Sequence, residues 1–435
     1  MIKAGFAKKD ISPEKPLPGR LGLNHIIEPY HPISVKAAAV ESKDGLVLII
    51  VCEIVGLTIS ENKAIRELIT KKTGIPGERI VITCTHTHAS PWVWDLQDEE
   101  ARKLGFEVLD REWMKKVINR TASAGIEAAA GMKPVAIKYG MAETKDIVSN
   151  RVSPVTRWSV CDDDELRNAP AGNIDPNVRT ISFHEASGKP LFIFCNLAVH
   201  PTAWGGGKTL KVSPDFPYIA ENRLKSDFGE DLILAYWQGC AGNSNSGKYV
   251  KKGSEKEVTA IGGRLYEALA EALGSAIELE SGFEYKYKKF SLTVGEFVNP
   301  PDIARERFRV KSMEINPVEP SDEDVFSWRR ALKQLDVSIL SNGKAMEMEF
   351  QLLKFGGTDV LFVPGEWYVQ IYKNLAALRP DRNLIVTTLN NFDLLYIPDE
   401  ESMTHKEWYG VKTDMRSLGN ESAVKLYEEA ADFIA

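Results

Sequence analysis

Residues 80–92 read IVITCTHTHASPW, an apolar, β-branched run that passes into two histidines one residue apart and then into an Ala-Ser-Pro turn. Such a run is a buried strand, and its polar end is a place where side chains can be presented on a rigid support. Three further runs end in the same way: LFIFCNLAVHP at 191–201, LILAYWQGCAGN at 232–243 and VLFVPGE at 360–366. Between and around them lie helical patterns near 60–73, 114–130, 216–226 and 255–277, and β-runs at 34–55 that flank a Lys-Asp-Gly turn. The helix near 60–73 takes its cap from the neighbourhood of Ser60 and Lys63. Alternating strands and helices predict an α/β (mixed α+β) fold, with layered mixed sheets flanked by helices. The chain shows no tandem repeat and no linker, so we expect one large domain over 1–435, with a charged helical insertion at about 301–336.

Composition narrows the function. The chain has 435 residues, 43% of them hydrophobic, and a net charge of -7 from 54 basic and 61 acidic residues. No basic block offers a surface for nucleic acid or an anionic membrane, and no window is apolar for long enough to span a bilayer. We therefore expect a cytoplasmic protein with a small-molecule substrate and no nucleic-acid or membrane partner, compatible with a homo-oligomer. The five cysteines, an odd number without C-x-x-C spacing, are expected to be reduced and buried.

The chemistry concentrates at the strand ends. In an extended segment His86 and His88 point to the same side, so both imidazoles can face one cavity. His200 and Glu366 end two further runs. Two or three imidazoles, one carboxylate and an open position form the ligand set of a catalytic zinc. Each residue also has a plainer reading: a histidine after a strand can be a hydrogen-bonded structural residue, and Glu366 an acidic first-turn residue favoured by a helix dipole. His25, His31, His184 and His405 have only the structural reading. Asp215 in SPDFP is expected to cap the following helix, the run Asp162 to Glu165 to be solvated loop, and Gly205, Gly206 and Gly207 to be flexible loop without P-loop spacing.

In order, DISPEK (10–15), THTHASP (85–91), SNRVSP (149–154), DPNVRTISF (175–183), NLAVHPT (196–202), SPDFP (213–217), QGCAGN (238–243), VPGE (363–366) and LLYIP (394–398) resemble the catalytic domain of the neutral/alkaline ceramidases, from about residue 4 to residue 410. The resemblance implies a ceramidase-like catalytic fold, without the C-terminal sandwich domain of the ceramidases proper. It also implies zinc held by His86, His200, Glu366 and Tyr396, with Arg151 binding substrate or offsetting developing negative charge. Spacing alone does not nominate Tyr396. Two departures matter. Val152 is extra before Ser153, and Asn245, in Gly242-Asn243-Ser244-Asn245-Ser246, stands where the family carries its nucleophilic serine. Ceramide is therefore not the expected substrate. The expectation is a zinc-dependent hydrolase of an amide, ester or lactone of a small polar molecule, acting through a metal-activated water. His88, Arg151 and Asn245 would be catalytic, and Asn243, Ser244 and Arg151 would contact the substrate. The alternatives are a metal-dependent lyase or isomerase acting on a sugar acid or polyol, and a non-catalytic metal-containing binding protein.

Overall fold

The computed structural model describes residues 2–19, 26–93, 109–151, 161–204, 211–251, 255–279, 283–293, 341–342, 344–405 and 419–435. The expected insertion at 301–336, Val152 with Ser153, and Gly205 to Gly207 lie outside these residues.

One structural unit occurs three times among the described residues: a β-hairpin, a helix, and a strand parallel to the second hairpin strand. The first comprises strands Ser34–Ser42 and Gly45–Cys52, helix Ile59–Thr73 and strand Ile80–Cys84. The second comprises Asn177–His184, Pro190–Leu197, helix Phe216–Phe228 and Ile233–Gln238. The third comprises Ala345–Phe355, Thr358–Phe362, helix Val369–Leu378 and Asn383–Thr387. The connections explain the order of elements. Antiparallel strands close through a tight turn, as at Gly45 with φ 119°, whereas a parallel pair needs a crossover, supplied each time by the helix. The first two units sit at opposite ends of a nine-stranded sheet, joined through strands Ile2–Asp10 and Lys133–Glu143. The third unit, with strand Glu284–Thr293 along it, forms a four-stranded sheet.

The period-two alternation of strand side chains sorts the core. Val47, Ile49 and Val51 face inward, and Leu48, Ile50 and Cys52 face helices Ile59–Thr73 and Arg111–Ala130. The inward faces of all three units share one apolar cluster, in which the Phe194 ring stacks on Trp237 at 3.9 Å and Phe362 meets Trp237 edge-on at 5.4 Å. Outward faces are covered separately. Helices Phe216–Phe228 and Glu255–Gly274 back the second unit, and helices Val369–Leu378 and Asn420–Ile434 back the third. At the carboxyl ends the shared core turns polar: two residues beyond Val81, Phe194 and Ile385, on the same strand faces, come Thr83, Asn196 and Thr387, all buried. Thr83 Oγ1 donates to the Thr388 carbonyl at 3.0 Å, and Asn196 Nδ2 to that of Val386 at 3.0 Å.

A buried charge cluster ties the first unit to the second. Lys36 Nζ donates to Glu53 Oε1 at 2.6 Å, Glu221 Oε2 at 2.7 Å and the Leu234 carbonyl at 2.7 Å, and Lys8 Nζ reaches Glu221 Oε1 at 3.0 Å. Burial pushes the Glu221 carboxyl up, but Lys36 and Lys8 outweigh it and hold the group at about 2. Two local expectations are corrected. The helix at 59–73 is capped by Thr58 and Glu61 in a capping box, because Thr58 keeps an extended backbone while its hydroxyl serves the first turn. The acidic run at 162–165 is solvated as expected, but only its first two residues are loop: Asp164 and Glu165 open a short helix, Asp164–Asn168, whose free amides Asp163 caps. The cysteines at 52, 84, 161, 195 and 240 are all buried thiols, and Asp215 caps its helix by accepting from Phe216 N at 2.8 Å.

The fold leads to two expectations. At Gly140 an added Cβ would overlap the Ala272 carbonyl oxygen, so helix Glu255–Gly274 lies against bare strand backbone, while a Cβ at Gly274 meets nothing within 4 Å. Gly140→Ala is expected to lower stability by about 2 kcal/mol or more in denaturant melts, with Gly274→Ala within about 0.5 kcal/mol of the parent. Because the Glu221 pKa is depressed from 4.5, its contribution is complete above pH 4.5 and is lost as pH falls toward about 2. Melting temperatures from pH 5 to pH 3 are expected to fall more steeply in the parent than in Glu221→Gln.

Candidate metal centre

Each unit delivers residues from the carboxyl end of its strands, where loops leave a rigid sheet. His86 and His88 follow strand Ile80–Cys84, His200 follows Pro190–Leu197, and Glu366 follows Thr358–Phe362. Tyr396 lies beyond Asn383–Thr387 and pairs with Glu366 in a short parallel bridge, Glu366–Trp367 with Tyr396–Ile397. The expected extended path through His86 and His88 is corrected. The strand ends at Cys84, and His86 sits at φ 63°, a left-handed conformation that L-residues adopt at a cost. The chain turns there because Thr85 N donates to the Cys52 carbonyl and His86 N to that of Ile54, both at 3.0 Å, holding the loop against the neighbouring strand end. Both imidazoles still reach one place. Nitrogens of His86, His88 and His200 lie within 4.8 Å of one another, and all three residues are buried.

Hydrogen bonding fixes which nitrogen each ring offers. His86 Nδ1 is 2.5 Å from the Val55 carbonyl, and His200 Nδ1 is 2.9 Å from that of Ser244. A carbonyl only accepts, so each Nδ1 carries a proton. The opposite nitrogens then face one carboxylate oxygen: Glu366 Oε2 is 2.7 Å from His200 Nε2 and 3.5 Å from His86 Nε2. Burial holds His86 at about 4, against the opposing pull of Glu366, so its imidazole is neutral near pH 7. The neutral His86 Nε2 lone pair repels the carboxylate oxygen it faces unless a cation lies between, and the 2.7 Å His200 contact is bridged by a proton or by such an ion. A divalent ion satisfies these lone pairs and the carboxylate together, and the nitrogen and oxygen donors fit zinc or a similar transition metal. The carbonyls of Val55 and Ser244 are the tautomer-setting partners of such ligands.

The other candidate residues gather nearby. Arg151 is buried; its guanidinium carbon is 5.0 Å from the Tyr396 ring centroid, and its Nη2 donates to the Gly242 carbonyl at 2.7 Å. Ser244 carries the carbonyl that orients His200, and residues 244–245 pair with Ser149–Asn150. The amide oxygens of the two asparagines are already engaged: Asn243 Oδ1 accepts from Val369 N at 3.0 Å, and Asn245 Oδ1 from Gly247 N at 2.9 Å. His184 is structural, with Nδ1 2.9 Å from the Gly188 carbonyl and Nε2 2.8 Å from Ser182 Oγ. His31 Nδ1 lies 3.0 Å from Ser213 Oγ, and His31 is not one of the three histidines that converge. Sequence reasoning missed Asp393, a buried carboxylate close enough to raise the His86 pKa and packed where Gly56 leaves room. No sequence signal marks it, since its position depends on how residues 389–395 turn.

No family model matches the sequence, and no curated protein does. Among solved structures, the chain is similar to the neutral ceramidase from Pseudomonas aeruginosa, with a TM-score of 0.74 and 16% identity, covering 99% of this chain and 73% of that one. It is likewise similar to a ceramidase complexed with C2, with a TM-score of 0.73 and 16% identity over 99% of this chain and 74% of that one. At such identity the likeness is one of architecture, and the chain has a ceramidase-like mixed α/β fold.

Proposed function

We propose that this protein is a zinc-dependent hydrolase that cleaves an amide, ester or lactone of a small polar substrate in the cytoplasm. The observation that carries the reading is the pair of Nε2 nitrogens, from His86 and His200, turned onto Glu366 Oε2 by carbonyls on their far sides. His86, His200, Glu366 and Tyr396 would hold the ion. When bound, zinc supplies Lewis acidity that polarises the substrate carbonyl and makes water a nucleophile near neutral pH.

The remaining steps fall to the chain. The His88 ring stands 5.0 Å from that of His86 and 5.7 Å from that of His200, beside the ligands, so it takes the proton from the attacking water and returns it to the leaving group. Arg151, fixed between the Gly242 carbonyl and the Tyr396 ring, offsets the charge that develops on the substrate oxygen. Asn245 cannot attack a carbonyl, and its amide oxygen is used to order Gly247. Its part is to hold the loop 244–247 against Ser149. The lack of a hydroxyl at this position argues against ceramide as substrate. None of the described helices is long and apolar enough to cross a membrane, and the buried thiols suit a reducing compartment.

Metal content after purification separates ligands from the base. His86→Ala and His200→Ala are each expected to lose zinc at chelator concentrations that the parent withstands, with circular dichroism unchanged. Stoichiometric zinc in the double variant would place the metal elsewhere. His88→Ala is expected to keep zinc and to lower kcat by about 10²–10⁴ on whichever ester, amide or lactone the parent hydrolyses. Loss of zinc from that variant would make His88 a ligand and leave the base unassigned.

A further inference from the structure

At Gly242 the loop that leaves strand Ile233–Gln238 lies directly on the main chain of the third unit. A Cβ there would overlap the Glu366 carbonyl oxygen, and would come 2.8 Å from Tyr368 Cδ1 and 3.0 Å from the Trp367 carbonyl oxygen. Glycine is required here for space, since Gly242 holds no left-handed φ. Two of the three neighbours are backbone and cannot swing aside, and the third belongs to a fully buried ring. The approach is held closed by two hydrogen bonds. Gly242 N donates to the Trp367 carbonyl at 2.8 Å, and Asn243 Oδ1 accepts from Val369 N at 3.0 Å.

The same short loop aims other parts of the candidate centre. The Ser244 carbonyl accepts from His200 Nδ1 at 2.9 Å, and the Gly242 and Asn243 carbonyls accept from Arg151 Nη2 at 2.7 Å and Arg151 N at 3.0 Å. Residues 242–244 therefore carry His200 and Arg151 against the backbone of Glu366. Across that seam His200 Nε2 stands 2.7 Å from Glu366 Oε2. Zinc holds nitrogen and oxygen ligands at about 2.0–2.2 Å, and a working site departs from such distances by only about 0.2 Å. Real Cβ atoms stay 3.0 Å or more from neighbours of this kind, so a methyl on Gly242 would part the two backbones by more than that tolerance. Gly140 makes the comparison. Its Cβ would overlap the Ala272 carbonyl oxygen as severely, but strand Lys133–Glu143 and helix Glu255–Gly274 carry none of the candidate ligands.

We propose that Gly242 is a positioning residue of the metal centre: its missing side chain sets the separation of His200 from Glu366, and with it the affinity and coordination geometry for the ion. The proposal rests on the metal reading given above, and adds to it a residue that offers the ion no side chain.

The test compares Gly242→Ala with Gly140→Ala in the full chain, at a temperature where circular dichroism shows each variant folded. Zinc affinity is read by competition with a chromogenic chelator, and ligand geometry by the visible d–d absorption of the Co²⁺-loaded protein. Gly242→Ala is expected to bind zinc at least about tenfold more weakly, the lower end of what disturbing the groups around a metal site costs, and to shift or weaken the cobalt bands. Gly140→Ala is expected to lose stability while keeping the affinity and spectrum of the parent. Parental affinity and spectrum in Gly242→Ala, or an equal loss in Gly140→Ala, would overturn the proposal and leave the metal reading standing. If Gly242→Ala does not fold, Asn243→Ala decides, because it loosens the same seam without a clash: weaker zinc binding supports the proposal and parental binding overturns it. A parent that binds neither zinc nor Co²⁺ removes the metal reading itself, and the proposal with it.

Discussion

A parallel strand pair cannot be closed by a turn, and much of this structure depends on that constraint. Each of the three units answers it with a crossover helix that covers one face of its strands, leaving the other face apolar and in need of a partner. The three uncovered faces meet in one cluster around Phe194, Trp237 and Phe362. Fully burying large aromatic side chains contributes about 1.5–3 kcal/mol each, so the arrangement that brings them together is strongly preferred over separate sheets. The loops that leave these strands are thereby brought together too.

The same geometry accounts for the change from apolar core to chemistry along a few strands. Val81, Phe194 and Ile385 lie in the shared core, and the next residues on those faces, Thr83, Asn196 and Thr387, begin a buried polar layer. Beyond it come the imidazoles and Glu366. Burial keeps His86 neutral, which an imidazole must be to donate a lone pair. The backbone carbonyls of Val55 and Ser244 take the other proton of each ring, so ligand direction is set by main chain that the strands themselves hold.

Rigidity is distributed unevenly around the centre. The first and second units are joined by Lys36 between Glu53 and Glu221, with Lys8 on Glu221 as the second cation, so that two cations match two anions. Removing one partner from such a cluster is costly, so these two units keep their relative placement. On the third unit's side, Glu366 and Tyr396 hang on segments with positive φ at Gly365, Leu389, Asn391 and Leu395, held by Asn391 and by the Gly365 to Phe392 hydrogen bond.

The sequence by itself determined the strands, the helices and the polar residues at strand ends. These follow from local periodicity and β-branched runs, and the histidines at 86, 88 and 200 with Glu366 were legible because each closes such a run. The alternation also gave the mixed α/β class. The left-handed turn at His86, the three-unit arrangement and Asp393 beside His86 were not legible. Each depends on contacts between segments tens to hundreds of residues apart, such as Asn391 with Ile82 and His200 with Ser244, which leave no local pattern. That the three histidines converge within 4.8 Å, and that the Nε2 nitrogens of two of them face one carboxylate oxygen, was decided only when the three apolar faces closed on one another, since burial in a common core is what fixes where strands from distant parts of the chain end.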